Sequence, residues 1–300
     1  MKKNLNAIRL SSGDRIFNII NLTLLSIIMV IVLYPLIYIL SASFSNSNAV
    51  MAGRVWLFPV EPTLAGYEAV FKNPQIPRSF VNTIYLTVAG TMVNIAFTIM
   101  LAYPLSRKTL FGRGVITGFI TFTMLFSGGL IPSFLLIKGM GLYNTYWALI
   151  LPGAVSVYNV IVARTFFQSN IPDDLYEAAS LDGCSDIYFM WKIVLPLSAP
   201  IIAVLTMFYA VGHWNSYFNA MIYLQDSKKF TLQVVLRNIL IANQIDNEMM
   251  KDIDAMQKQE GLAQLLKYSL IVVASVPMLV LYPFIQKHFV KGIMIGALKG

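Results

Sequence analysis

Long apolar runs separated by short polar segments set the plan of this chain. Six runs, at about 16–40, 80–105, 115–137, 143–167, 199–224 and 265–285, pass the length test for a bilayer-crossing helix. Such a helix needs roughly 20 mostly apolar residues. Several runs hold helix breakers, among them Gly128-Gly129, Pro132, Pro152 and Pro277. Membrane helices tolerate these where neighbouring protein satisfies the freed backbone groups. The runs are also dotted with Thr, Ser, Asn and Tyr, which fits helices packed on each other or around a path better than isolated lipid anchors. The expected fold class is an all-α integral membrane protein with six transmembrane helices.

Composition agrees with that class. Of the 300 residues, 57% are hydrophobic and 12% charged, against roughly 25% charged in soluble domains. The net charge of +8 follows from basic residues near the membrane-facing ends, beside anionic lipid. No zinc-finger spacing or basic helix points to nucleic acid. Cys184 is the only cysteine, so an intrachain disulfide is excluded, and its place after Gly183 suits a small filler residue. His213 and His288 lack ligand spacing, so no metal site is expected. Lys2, Lys3, Arg9 and Arg15 precede the first run as they would in a signal peptide. That run is longer than a signal core of roughly 7–15 residues, so it reads as a retained first helix.

Short basic segments orient the spans. The N-terminal tail, the connection carrying Arg107, Lys108 and Arg113, and the C-terminal tail with Lys287, Lys291 and Lys299 fall on one side if the spans number six. That side is the cytoplasm. The expected plan is then a cytoplasmic tail at 1–15, a six-helix permease domain at 16–285 and a cytoplasmic tail at 286–300. Outer loops lie at about 41–79 and 225–264, the second bearing Asp246, Glu248, Asp252 and Asp254. Within the second, Leu232, Val235, Leu236 and Ile239 recur at helical spacing. They mark a helix that either covers the bundle ends or docks a partner.

The cytoplasmic loop at 168–197 breaks the apolar pattern most sharply. Pro172 suits a first helical turn, Asp173 and Asp174 favour a helix N-terminus, and Gly183 suits the stop. The spacing predicts a helix of about three turns with Leu175, Ala178, Ala179 and Asp182 on one face. Small residues there let another protein approach closely. Ile187, Met190, Trp191 and Val194 follow at helical spacing, and Pro196 redirects the chain into the fifth span. Taken alone, the segment also reads as a plain interfacial hairpin.

The spacing Glu177-Ala178-Ala179, three residues, Gly183, nine residues, Ile193, one residue, Leu195-Pro196 resembles the EAA loop of ABC importer permeases. The stretches 129–132 and 144–152, and Ala102-Tyr103-Pro104-Leu105-Ser106-Arg107, look like the carbohydrate-uptake branch. The end, Tyr282-Pro283-Phe284 onward to Gly300, is similar to the MalG-like type, and more narrowly to the LplC/YtcP group of oligosaccharide permeases. The resemblance implies a type I importer fold with a cytoplasmic coupling helix, in a multi-pass subunit of the bacterial plasma membrane with both termini cytoplasmic. It implies as partners a second permease subunit, two ATPase subunits and an extracellular or lipid-anchored sugar-binding protein. It also implies that Glu177 contacts the ATPase, that Ala178 and Ala179 pack in its cleft with Leu175 and Asp182 beside them, and that Gly183 permits the turn. The chain contains no Gly-x4-Gly-Lys-Ser/Thr. ATP and Mg are therefore expected in the partner ATPases, and no cofactor in this subunit.

The fifth run is the most polar. Thr206, Tyr209, His213 and Tyr217 form one helical stripe, with Trp214, Asn215 and Asn219 near it. Aromatic faces stack on sugar C–H surfaces, and amides and hydroxyls bond sugar hydroxyls, so these residues are candidates for a sugar path. They equally suit bonds between neighbouring helices. Two other function classes stand against the permease reading. An ion-coupled secondary transporter without an ATPase needs ionisable residues inside its spans, and only His213 and Arg164 approach that. A membrane enzyme needs a nucleophile or metal constellation, and neither His-Glu-x-x-His nor Gly-x-Ser-x-Gly occurs.

Overall fold

The computed structural model describes residues 11–245, 261 and 263–283. The expectations for the tail at 1–10, for Asp246, Glu248, Asp252 and Asp254, for His288 and for the tail at 286–300 lie outside the described residues. In chain order the helices are α1 Ser12–Ser43, α2 Ser47–Met51, α3 Ala65–Lys72, α4 Gln75–Ser106, α5 Arg113–Leu125, α6 Leu130–Gly139, α7 Trp147–Ile150, α8 Val157–Asn170, α9 Asp173–Leu181 and α10 Asp186–Phe189. A π-helical turn at Met190–Val194 leads to α11 Leu195–Leu197, α12 Ala199–Trp214, α13 Phe218–Tyr223, α14 Leu232–Ile245 and α15 Ala263–Pro283. No strand occurs among the described residues.

The chain divides into two compact units, Met1–Lys72 with Asn243–Val272, and Asn73–Ala242 with Val273–Gly300. In the first, α1 opens with a capping box: Ser11 Oγ accepts from Asp14 N–H, and Asp14 accepts in return from Ser11 N–H. The helix is mostly apolar and exposed from Ile16 to Ile37. Its last turn is the exception. Ala42 packs with Ala49, Val50, Val55 and Leu265 in a small core. Ser41, Ser43 and Ser45 there bond Leu57 O, the Tyr67 hydroxyl and Ser41 O.

The second unit is built on α4, an unbroken helix of 32 residues. Its long buried face receives α12 and α8. The lower core joins Ile99, Ala102 and Leu105 of α4 to Val160, Ala163 and Phe167 of α8, to Phe189, and to Ile201, Leu205 and Tyr209 of α12. A second core gathers Leu86 of α4, Ile137, Ala148–Ile150, Ala220, Tyr223 and Val234. Leu232, Val234 and Val235 of α14 are buried, and Leu232 N–H donates to Thr83 Oγ1 at 2.8 Å. The α14 apolar face is thus seated on its own bundle.

Three of the six expected spans are continuous helices long and apolar enough to cross a bilayer: α1, α4 and α15. The others are broken. The third run becomes α5 and α6, bent by 112°. Gly129 stands at the bend with φ 85 and ψ 177, a region essentially reserved for glycine. The fourth run becomes α7 and α8 around Pro152-Gly153, and α8 has 14 residues. At about 1.5 Å per residue α8 reaches roughly 21 Å, short of a full hydrocarbon layer. The fifth run stops at Trp214, resumes as α13, and is preceded by a bend of 79° after Leu197.

One packing contact is tight enough to test. A Cβ at Gly90 of α4 would lie 2.5 Å from His213 Nε2 of α12, and that ring is already held by Asn94 Oδ1 at 2.6 Å. Gly90→Ala is expected to cost about 1–3 kcal/mol by overpacking. The melting temperature of the purified subunit in detergent should fall, and the added change His213→Ala should recover part of the loss. An unchanged melting temperature in Gly90→Ala would contradict this packing.

Candidate functional site

The polar loop at 168–197 folds as a tight helical hairpin. Pro172, with φ −58 and ψ 148, leads into α9, and Asp173 and Asp174 occupy its first turn, where the helix dipole favours acids. The stop is a Schellman motif. Cys184 N–H donates to Ala179 O, Gly183 N–H donates to Ser180 O, and Gly183 takes φ 76. Ser185 then caps α10 by accepting from Tyr188 N–H. The two arms are tied by the Tyr176 hydroxyl donating to Asp186 Oδ1 at 2.6 Å, and by the Tyr176 ring set edge-on against Phe189 at 5.3 Å. The carboxylate accepting that proton raises the Tyr176 phenol above its ordinary value. The tie therefore holds at neutral pH and is lost only as pH climbs through the raised phenol value.

The hairpin is fastened to the end of α4 through Arg107. Its guanidinium pairs with Asp173 Oδ1 at 3.2 Å and donates twice to the Tyr103 hydroxyl, at 3.2 and 2.8 Å. It also lies over the rings of Tyr103, Tyr176 and Phe189, at 4.9, 5.4 and 5.5 Å from their centroids. The side chain is only 14% exposed. The last carbonyls around it are capped from other elements: Arg164 donates to Leu105 O, Gln168 to Ser106 O and Arg113 to Arg107 O. In the sequence Arg107 counts as one charge in a basic connection and as the last residue of the stretch 102–107. Its pairing with Asp173, 66 positions away, leaves no local pattern to read.

The faces of α9 differ in part from expectation. Leu175, Glu177, Ala178, Asp182 and Gly183 are exposed. Ala179 is half-buried and packs, with Tyr176 and Cys184, against the core beneath. It supports the hairpin from inside, so the exposed face centres on Glu177, Ala178 and Leu181. Leu181 is 90% exposed, although it lies outside the expected face. Ile187, Tyr188 and Trp191 on the second arm are exposed as well.

The fifth-run candidates separate into two groups. Tyr209 is buried, and its hydroxyl bonds Thr98 Oγ1 of α4 at 2.6 Å and accepts from Ser156 N–H at 3.3 Å. Trp214 is buried, donates to Ala274 O at 3.0 Å, and meets Phe80 edge-on. Both are spent inside the subunit. His213 and Tyr217 are half-buried, whereas Asn215 and Asn219 are exposed. Because α12 ends at Trp214, Tyr217 does not continue the helical stripe that the spacing implies. The partners of Tyr209 and His213 lie on α4. Thr83, Thr87, Thr91, Asn94 and Thr98 recur at helical spacing on its buried face. Asn94 bonds His213 and donates to Gly153 O in the break between α7 and α8. The hydroxyls of Thr87 and Thr91 are buried with no partner among the described residues. No group of three metal-binding side chains occurs among the described residues.

A family model described as binding-protein-dependent transport system inner membrane component matches residues 7–295. The chain is 42% identical to Protein LplC of Bacillus subtilis over 97% of both chains. It is also 42% identical to the polygalacturonan/rhamnogalacturonan transport system permease protein YtcP of the same organism, over 96% of this chain and 99% of that one. Among solved structures it is similar to a bacterial ABC transporter involved in the import of the acidic polysaccharide alginate. The TM-score is 0.84 and the identity 35%, covering 93% of this chain and 99% of that one. The chain therefore belongs to the inner-membrane permease components of binding-protein-dependent ABC importers.

The Schellman stop generates a local test. A side chain at Gly183 must adopt the left-handed region, which costs about 1–2 kcal/mol. Gly183→Ala should lower the melting temperature of the subunit, even though no atom lies within 4 Å of the added carbon. A variant as stable as the parent would contradict the strained turn.

Proposed function

We propose that the chain is one of two transmembrane permease subunits of an ATP-driven importer of oligosaccharides, moved by its ATPase partner through α9. The observation that carries the reading is the hairpin. It is a short helix, locked at its stop by Gly183 and at its start by Arg107, that presents Glu177, Ala178 and Leu181 outward. A rigid exposed element of this kind is what an ATPase's motion can bias. In this reading α9 and both termini face the cytoplasm. The second permease subunit completes the path, the two ATPases hold ATP and Mg, and an extracellular or lipid-anchored binding protein delivers the sugar. The subunit itself performs no hydrolysis.

Acidic oligosaccharides are the proposed cargo class. Support comes from the relatives named for polygalacturonan/rhamnogalacturonan and for alginate. Within this subunit the exposed Asn215 and Asn219, with half-buried His213 and Tyr217, are the candidate sugar contacts. Tyr209 and Trp214 back them from the helix pack. The ion-coupled alternative would require His213 as a titrating group. That ring is committed to Asn94, against Gly90.

Glu177→Lys tests the reading. The complete transporter in vesicles, offered galacturonate oligosaccharides, should lose uptake by about tenfold or more, within the range of coupling mutations. The amount of subunit in the membrane should be unchanged. Uptake at the parent rate would contradict the assignment of α9.

A further inference from the structure

We propose that Arg107 is the positioning residue that makes α9 and α4 move as one body, and that α4 carries the displacement of α9 to the buried polar network. The proposal rests on the permease reading and adds a route by which motion passes from the coupling helix to α4. Three connections tie α9 to the bundle. Its start follows α8 after only Ile171-Pro172, and Tyr176 and Ala179 pack on the core that holds Phe167 and Ile171. Its end continues through the Gly183 turn, the π-helical turn at Met190–Val194 and a bend of 79° before α12. These two lead into α8 and α12, whereas the Arg107 clip joins α9 to the end of α4 by polar bonds. A single cation joins three elements: it pairs with Asp173 of α9, donates to Tyr103 of α4, and lies against the rings of Tyr103, Tyr176 and Phe189.

The chemistry of the clip requires arginine. The planar guanidinium presents donors to a carboxylate and a hydroxyl at once while stacking on ring faces, and lysine offers only a point charge. Lys108 also reaches Asp173, at 3.4 Å, but is 82% exposed, so screening leaves that pair nearly without effect. Beyond the clip, α4 passes Pro104 in its last turn, which lacks a helical N–H, and continues as one helix past Thr98 and Asn94, which hold Tyr209 and His213 of α12 at 2.6 Å each. From Arg107 to Thr98 is about 14 Å along the helix. A packed helix with discrete bonds at both ends is a physical carrier of coupling.

The test uses the assembled transporter in vesicles, comparing sugar moved per ATP hydrolysed. Arg107→Met keeps the bulk and removes the charge. It should lower the ratio by roughly two- to thirty-fold while the ATPase still co-purifies and still hydrolyses ATP. Arg107→Lys should fall between Met and the parent, and Lys108→Ala should keep the parent ratio. A purely structural role would lower the yield of complex without changing the ratio in what remains. If Arg107→Met does not assemble, Arg107→Lys and Asp173→Asn decide. A lowered ratio in either supports the proposal, and the parent ratio in both overturns it. The parent ratio in assembled Arg107→Met also overturns it, leaving the permease reading intact. Failure of the parent complex itself to couple ATP to uptake would instead remove the permease reading, and this proposal with it.

Discussion

A polar group inside a bilayer has to find its partner within the protein, and α4 is where this subunit meets that demand. Water is absent from the hydrocarbon layer, so an unsatisfied amide or hydroxyl there costs several kcal/mol. Asn94 meets the demand for two neighbours at once, by bonding His213 and the open carbonyl of Gly153. Thr98 and Tyr209 satisfy each other, and Tyr209 also takes the N–H of Ser156 at the start of α8. The break at Pro152-Gly153 is therefore tolerated because Asn94 of α4 and Tyr209 of α12 bond Gly153 O and Ser156 N–H in place of helical partners. At its far end α4 is capped by Arg164, Gln168 and Arg113, which leaves Arg107 free to face the hairpin.

Hydropathy made the general class legible, and local turn chemistry made α9 legible almost residue by residue. Pro172, the paired acids and Gly183 act through their immediate backbone, so their effect needs no tertiary knowledge. Length alone did not reveal the breaks. The run 115–137 is long and apolar enough to span, and its Gly128-Gly129 reads as a breaker a membrane helix tolerates, yet Gly129 adopts a backbone conformation that ends one helix and bends the next by 112°. The stripe at Thr206, Tyr209, His213 and Tyr217 was read on one helix in isolation. Tyr209 and His213 bond α4, Thr206 bonds its own helix at Ile202 O, and α12 stops before Tyr217. Ala179 shows the same limit, since helical spacing places it beside Ala178 but the core beneath α9 claims it. The polar periodicity of α4 from Thr83 to Thr98 was present in the sequence. It was masked by the high apolar content of the same run.

Two features lie along one helix. Beside the end of α4 an exposed hairpin turns a carboxylate, a small residue and Leu181 outward. In the middle, a polar seam joins the helices from which the candidate sugar contacts project. Membership in the ABC importer permeases supplies the reason for connecting the two, because energy arrives from an ATPase and cargo from a binding protein.

The most direct measurement of the central claim is cross-linking from the outer face of α9. In a Cys184→Ser background, Leu181→Cys places a thiol at a fully exposed position next to the Gly183 stop. In the assembled transporter, a short bifunctional reagent should join this position to the ATPase subunit, with a yield that changes when ATP is bound. An intact, transporting complex that gives no ATPase adduct from Leu181→Cys would contradict the account.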